Sequence, residues 1–128
     1  MQNPCPCGKP LAFERCCGRF IVGGETVPDA EHLMRSRYTA FVRKDADWLR
    51  ATWHPATRPT DLTLDEEPAP QWLGLQVKRH VVHDADHATV EFVARYKIHG
   101  RAHRLHEVSR FERIDGRWFY REGDLRET

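Results

Sequence analysis

Val90-Glu91-Phe92-Val93-Ala94-Arg95-Tyr96-Lys97-Ile98 sets Val90, Phe92, Ala94, Tyr96 and Ile98 in alternation with Glu91, Arg95 and Lys97. A period of two marks a strand with one face on a core and the other toward water. The same pattern continues on both sides. Upstream, Leu73, Leu75, Val77 and Val81 alternate with Gln76, Lys78 and His80. Downstream, Leu105, Glu107, Ser109 and Phe111 share one face, and His106, Val108, Arg110 and Glu112 share the other. Asp84-Ala85-Asp86, Gly100-Arg101 and Asp115-Gly116 punctuate the runs, and Trp118-Phe119-Tyr120 follows the last turn. Turns this short join antiparallel neighbours, so the second half of the chain reads as a four-stranded meander.

Ahead of the strands the period is helical. Leu33, Met34, Tyr38, Phe41 and Val42 recur at three- and four-residue steps after Asp29, an expected N-cap. They predict an amphipathic helix of about four turns. A second, shorter helix starts at Asp45 or Asp47, with Trp48, Leu49 and Trp53 on its apolar side, and ends by His54-Pro55. The residue before a proline avoids the helical region. Pro55, Pro59, Pro68 and Pro70, with Asp65-Glu66-Glu67 between them, predict a surface connection with room for one helical turn. Two helices followed by a meander give an α+β fold with the sheet curled over the helices.

With 128 residues the chain has room for one domain and a small appendage. Its 40% hydrophobic content, with four Trp, six Phe and three Tyr, supplies a core and argues against disorder. Charges interrupt every apolar stretch, and the first residues lack an apolar leader core. The expectation is a soluble, cytoplasmic protein with no membrane contact. A net charge of +1 argues against binding polyanions through overall charge and leaves only local basic patches.

All four cysteines fall near the start, as Cys5-Pro6-Cys7 and Cys16-Cys17. Neighbours this close bridge each other only with strain, and cross-pairing would close a short loop for little gain. A cytosolic chain also keeps thiols reduced. Two cysteine pairs arriving from two tight segments, with Gly8 and Gly18 after them, suit one tetrahedral Zn²⁺. The expected cofactor is therefore one structural zinc ion held by Cys5, Cys7, Cys16 and Cys17.

Cys5-Pro6-Cys7-Gly8, Phe13 and Cys16-Cys17-Gly18 resemble the SEC-C zinc-binding motif, with Lys9-Pro10 replacing its usual Ser-Gly. The body resembles the YchJ family of uncharacterised bacterial proteins. That resemblance rests on Pro28-Asp29-Ala30-Glu31-His32-Leu33-Met34-Arg35-Ser36-Arg37-Tyr38, Thr52-Trp53-His54-Pro55, Trp72-Leu73-Gly74-Leu75 and Ser109-Arg110-Phe111. It implies a knuckle over residues 1–20 and a nuclear-transport-factor-2-like domain over 21–128. The implied body is a cystatin-like cone, with helices packed on a curved antiparallel sheet. The family carries no established activity.

A cone encloses space between helices and sheet, and such space serves enzymes and binders alike. Arg37, Tyr38, Trp53, His54, Glu107 and Ser109 are the expected polar lining. Three functions compete. The first is a binding module, with a protein partner on the knuckle, where Lys9, Arg15 and Arg19 suit acidic groups, or a small ligand in the cone. The second is a small enzyme with Glu107 or His54 as acid or base and Arg37 positioning. The third is a redox or zinc sensor working through the thiols. Against the enzyme stands a structural network in which Arg37, Glu107 and Ser109 satisfy one another, with His54 contacting the last helix carbonyls. Six histidines between His80 and His106 scatter over both sheet faces, which disfavours a second metal site. Arg95, Lys97, Arg101 and Arg104 form a basic patch. Nucleic acid or ribosome contact there is the weaker expectation, because no stacking aromatic is evident beside it. Dimerisation through the sheet is a further expectation of cone folds.

Overall fold

A computed structural model of the chain describes residues 4–64 and 68–126. The turn expected around Asp65-Glu66-Glu67 lies outside the described residues. A 3₁₀ turn at Phe13–Arg15 leads to α1 (Gly18–Ile21), followed by α2 (Ala30–Arg43) and α3 (Ala46–Ala51). The strands are β1 (Gln71–Asp84), β2 (His87–Ile98), β3 (Arg101–Ile114) and β4 (Arg117–Leu125). They form one antiparallel sheet in the order β1-β2-β3-β4. Ala88, Val90, Phe92, Ala94, Phe111 and Trp118 on its inner face meet Leu33, Met34 and Tyr38 of α2.

Both main helices begin where the sequence places their caps. Asp29 Oδ1 accepts from the backbone N–H of His32 at 2.8 Å, and Asp45 Oδ1 from that of Trp48 at 3.0 Å. Lys44, in the left-handed region at φ 57°, closes α2, and its N–H reaches the carbonyls of Ala40 and Phe41. Burial alone would raise the Asp29 carboxyl, but hydrogen bonds from His32 overcome it and hold the group below its ordinary range. The cap therefore stabilises the fold above the unfolded carboxyl range near pH 4, and that contribution is lost as pH falls further. Asp29→Ala should cost about 1 kcal/mol in urea unfolding at pH 7, and the difference from wild type should shrink toward pH 3. An unchanged midpoint at pH 7 would contradict the cap's role.

Strict alternation fails along β1. Register shifts between Trp72 and Gly74 and between Val77 and Arg79 each leave a residue unpaired. Trp72, Leu75 and Val77 face the core, whereas Leu73 is 47% exposed. His80, expected opposite Val77, instead pairs with inward Val90 and lies 3.8 Å from Glu31 on α2. A bulge reverses which face later side chains occupy. On the far edge of the sheet, Tyr120 of β4 pairs with the segment that follows α3. His54 N–H donates to Tyr120 O at 2.7 Å, and Tyr120 N–H donates to Thr52 O at 2.8 Å. α3 stops at Ala51, three residues ahead of His54.

Candidate metal centre and interior polar cluster

The four cysteine side chains are buried, and their sulfurs all lie within 4.8 Å of one another. Cys7 Sγ and Cys16 Sγ are 3.6 Å apart. A tetrahedron of thiolates at about 2.3 Å from a central ion has S···S edges of about 3.8 Å, so the cluster is the size of one such shell. Among the described residues no other group of His, Cys, Asp or Glu converges this way, and the histidines stay scattered.

Local backbone explains the convergence. Cys5 N–H donates to Leu11 O at 2.7 Å, and Gly8 N–H donates to Cys5 O at 3.2 Å, closing the first loop. Gly8 has φ +95°, and a Cβ there would lie 3.3 Å from Leu75 O of β1. Gly18 plays a different part from Gly8. It is helical, and a Cβ would come within 2.6 Å of Phe13 O, so its role is to let the second pair pack onto the 3₁₀ turn.

The knuckle is fastened to α2. Thr39 Oγ1 donates to Cys17 Sγ at 3.4 Å and lies 3.6 Å from Cys5 Sγ. One helical turn earlier, Arg35 Nη1 donates to Cys7 O at 2.8 Å while its Nε holds Glu31. Arg43 stacks over the Phe13 ring. Arg35 and Thr39 share a stripe at i and i+4, a spacing visible in the sequence. What the stripe faces was not visible there. Arg19 is committed inward, donating to Cys16 O at 3.2 Å, which leaves Lys9 and Arg15 for any partner.

Electrostatics at the thiols point toward a cation. Hydrogen bonds with Cys17 and then Cys7 hold Cys5 far below the ordinary thiol range. The hydrogen bonds with Cys5 and Cys7, reinforced by burial, push Cys17 far above it. Burial, with the hydrogen bond and charge of Cys7, pushes Cys16 up to about 12. Four thiolates this close repel one another, and a central cation is what lets all four ionise.

The expected catalytic residues surround Tyr120 but do not meet. Arg37 is 3% exposed, and its Nη1 donates to Leu49 O at 2.9 Å and to Thr52 Oγ1 at 2.7 Å. Its guanidinium stacks over Trp53 and Tyr120 at 4.9 and 4.6 Å. Burial lowers it to about 10, with the charges of Tyr120 and Glu107 opposing. Glu107 accepts from Ser109 Oγ and, at 3.5 Å, from the Tyr120 hydroxyl. Burial and the Glu107 charge push Tyr120 up to about 12. Gly123, paired with Ser109, leaves the space that the Glu107 carboxylate occupies, and a Cβ there would displace that carboxylate. Thus Glu107 and Ser109 satisfy each other as expected, while Arg37 is held by α3 and by rings instead.

His54 faces away from the helix carbonyls it was expected to cap. Its Nδ1 accepts from Ala56 N–H at 3.0 Å, which leaves the ring proton on Nε2, 3.5 Å from Glu112 Oε2. Arg121, the extra residue of a bulge in β4, lies 3.2 Å from that nitrogen and donates to Glu112 Oε1 at 3.1 Å. Tyr38, buried against Trp72, is raised by that burial. A cavity of about 150 Å³ lies elsewhere, between α3 and the β3–β4 hairpin, lined by Phe20, Val27, Leu33, Trp48, Thr52 and Trp118. It includes none of Arg37, His54, Glu107 or Ser109.

Residues 29–123 match the family described as YchJ, middle NTF2-like domain. A UPF0225 protein of Cupriavidus metallidurans is 59% identical over 130 residues, covering 97% of this chain and 90% of the relative. One from Bordetella pertussis is 54% identical over 124 residues, covering 95% and 92%. Among solved structures, a SEC-C motif containing protein from Rhodopseudomonas palustris superposes with a TM-score of 0.86 at 30% identity, covering 98% of this chain and all of its own. A second, from Psychrobacter arcticus, has a TM-score of 0.77 at 27% identity, covering 98% and 84%. No helix among the described residues is long and apolar enough to cross a membrane.

Proposed function

Because the chain belongs to the UPF0225 family, whose middle part is the YchJ NTF2-like domain, we propose that it is a zinc-organised protein-docking module. In this reading residues 1–20 are a SEC-C-like knuckle holding one Zn²⁺ through Cys5, Cys7, Cys16 and Cys17. Residues 21–128 are a cystatin-like cone that carries it. The observation behind the reading is the closed, buried sulfur cluster fastened to α2 by Thr39 and Arg35. When bound, the ion supplies structure: four protein sulfurs leave no coordination position for water or substrate. Leu11 and Val22 are 43% and 73% exposed on the knuckle and its exit, and Arg15 is exposed with them. That surface suits an acidic segment with apolar side chains.

Crosslinked pull-downs with wild type and a Lys9→Glu/Arg15→Glu variant test the docking surface. The variant should keep its metal and lose the recovered partner. Equal recovery from both proteins would refute the knuckle as the docking surface.

A further inference from the structure

The cavity between α3 and the β3–β4 hairpin joins two kinds of surface. Phe20, Val27, Leu33, Trp48, Trp118 and Phe119 form its wall. Gly24, Glu25, Thr26, Ala51 and Arg117, all exposed, frame its mouth. It therefore lies where the chain leaving the knuckle crosses onto the body: Phe20 comes from α1, and residues 24–27 from the connection to α2.

The wall is ring and aliphatic surface, and its polar atoms are largely spent. Trp48 Nε1 donates to Ser36 Oγ at 3.0 Å. Thr52 Oγ1, which also lines the cavity, donates to Trp48 O and accepts from Arg37 Nη1, both at 2.7 Å. Only the indole N–H of Trp118 is left as an uncommitted side-chain donor of the wall. An apolar cavity of about 150 Å³ is the size that takes one benzene-sized ring. Walls of Phe and Trp favour a ring over an alkyl chain, through edge-to-face and offset contacts.

The mouth carries the opposite chemistry. Among the described residues the Glu25 carboxylate and the Arg117 guanidinium enter no hydrogen bond or ion pair, although they line the same opening. One anion and one cation, each without a partner, match a ligand that bears both charges beside one ring. A free amino acid holds them on a single carbon, whereas either end of a peptide offers only one. We propose that this cavity binds a free aromatic α-amino acid. Its ring packs against Phe20, Trp48 and Trp118, its ammonium meets Glu25, and its carboxylate meets Arg117. The site is separate from the knuckle surface at Lys9 and Arg15, so the failure of either reading leaves the other standing.

Calorimetric titration of the full chain tests this. L-Phenylalanine should bind saturably at one site, and L-alanine, which lacks the ring, should not. N-acetyl-L-phenylalanine and L-phenylalaninamide each keep one charge and stand for the two ends of a peptide. Each should bind about 5-fold more weakly, the scale of one exposed ion pair. Arg117→Ala should weaken phenylalanine about 5-fold and erase its advantage over the amide, while keeping its advantage over the acetylated form. Glu25→Gln should do the converse. Ala51→Phe, which sets a ring into the mouth, should abolish binding. Should that variant melt below wild type, the two charge variants, both at exposed positions, decide the matter. Three results would each overturn the proposal: no saturable phenylalanine binding, an amide or acetylated form bound as tightly as the free amino acid, or selectivity unchanged in both charge variants.

Discussion

Cys17→Ser is expected to abolish stoichiometric zinc and to destabilise the entire chain, not only its first twenty residues. Wild type purified under reducing conditions should carry about one equivalent. The whole-chain effect follows from attachment: Thr39 Oγ1 donates to Cys17 Sγ, Arg35 reaches Cys7 O, and Gly8 sits on β1. Losing the ion leaves thiols that repel or must be protonated while buried, so the knuckle opens and uncovers that face of α2. Loss of a structural metal belongs to the few substitutions that cost more than about 4 kcal/mol. For a domain of this size that lowers Tm by about 15 °C. Chelator treatment of wild type should reproduce the shift. A melting curve unmoved by either would mean that the knuckle contributes nothing to the body, and zinc retained by Cys17→Ser would remove it from the ligand set.

Arg37→Ala should be the most damaging change away from the cysteines. It removes a 3%-exposed side chain, opens a void between Trp53 and Tyr120, and strips donors from Leu49 O and Thr52 Oγ1. A buried carbonyl reduced to one long hydrogen bond from Thr52 and a lost large side chain together cost about 3 kcal/mol. Arg37→Lys should recover only part of this, because an ammonium cannot make the same planar stack on two rings. Urea unfolding monitored by tryptophan fluorescence would report both. If Arg37→Ala left stability intact while altering binding to some ligand, the residue would be functional and not structural. Stability of Arg37→Lys equal to that of wild type would argue against the ring contacts.

The helices and strands were legible because their signals are local. Asp29 announces the first cap, Asp45 or Asp47 the second, with the structure choosing Asp45, and residues 90–98 declare their alternation within nine positions. Faces were legible only where pairing is regular. On β1, two bulges redirected His80 inward and Leu73 outward, and a bulge depends on the partner strand and not on the bulged residues alone. The interior cluster shows the same limit. Glu107 and Ser109 are two apart on one strand, so their meeting followed from the period. Whether Arg37 met Glu107 turned on where α3 and β4 delivered Thr52, Trp53 and Tyr120. Tyr120, the hub of that cluster, looked like any strand aromatic.

The cysteine spacing, the two caps and the alternation of the meander were determined by the sequence alone, since each depends on residues a few positions apart. Tertiary structure decided what those pieces face. It set the knuckle against Thr39 and Arg35, separated His54 from Glu107, and lined up Trp72, Tyr96 and His103 across three strands. The physical reason is range. Backbone geometry propagates over one turn or one strand, whereas a surface is assembled by packing and register between segments that the chain keeps far apart.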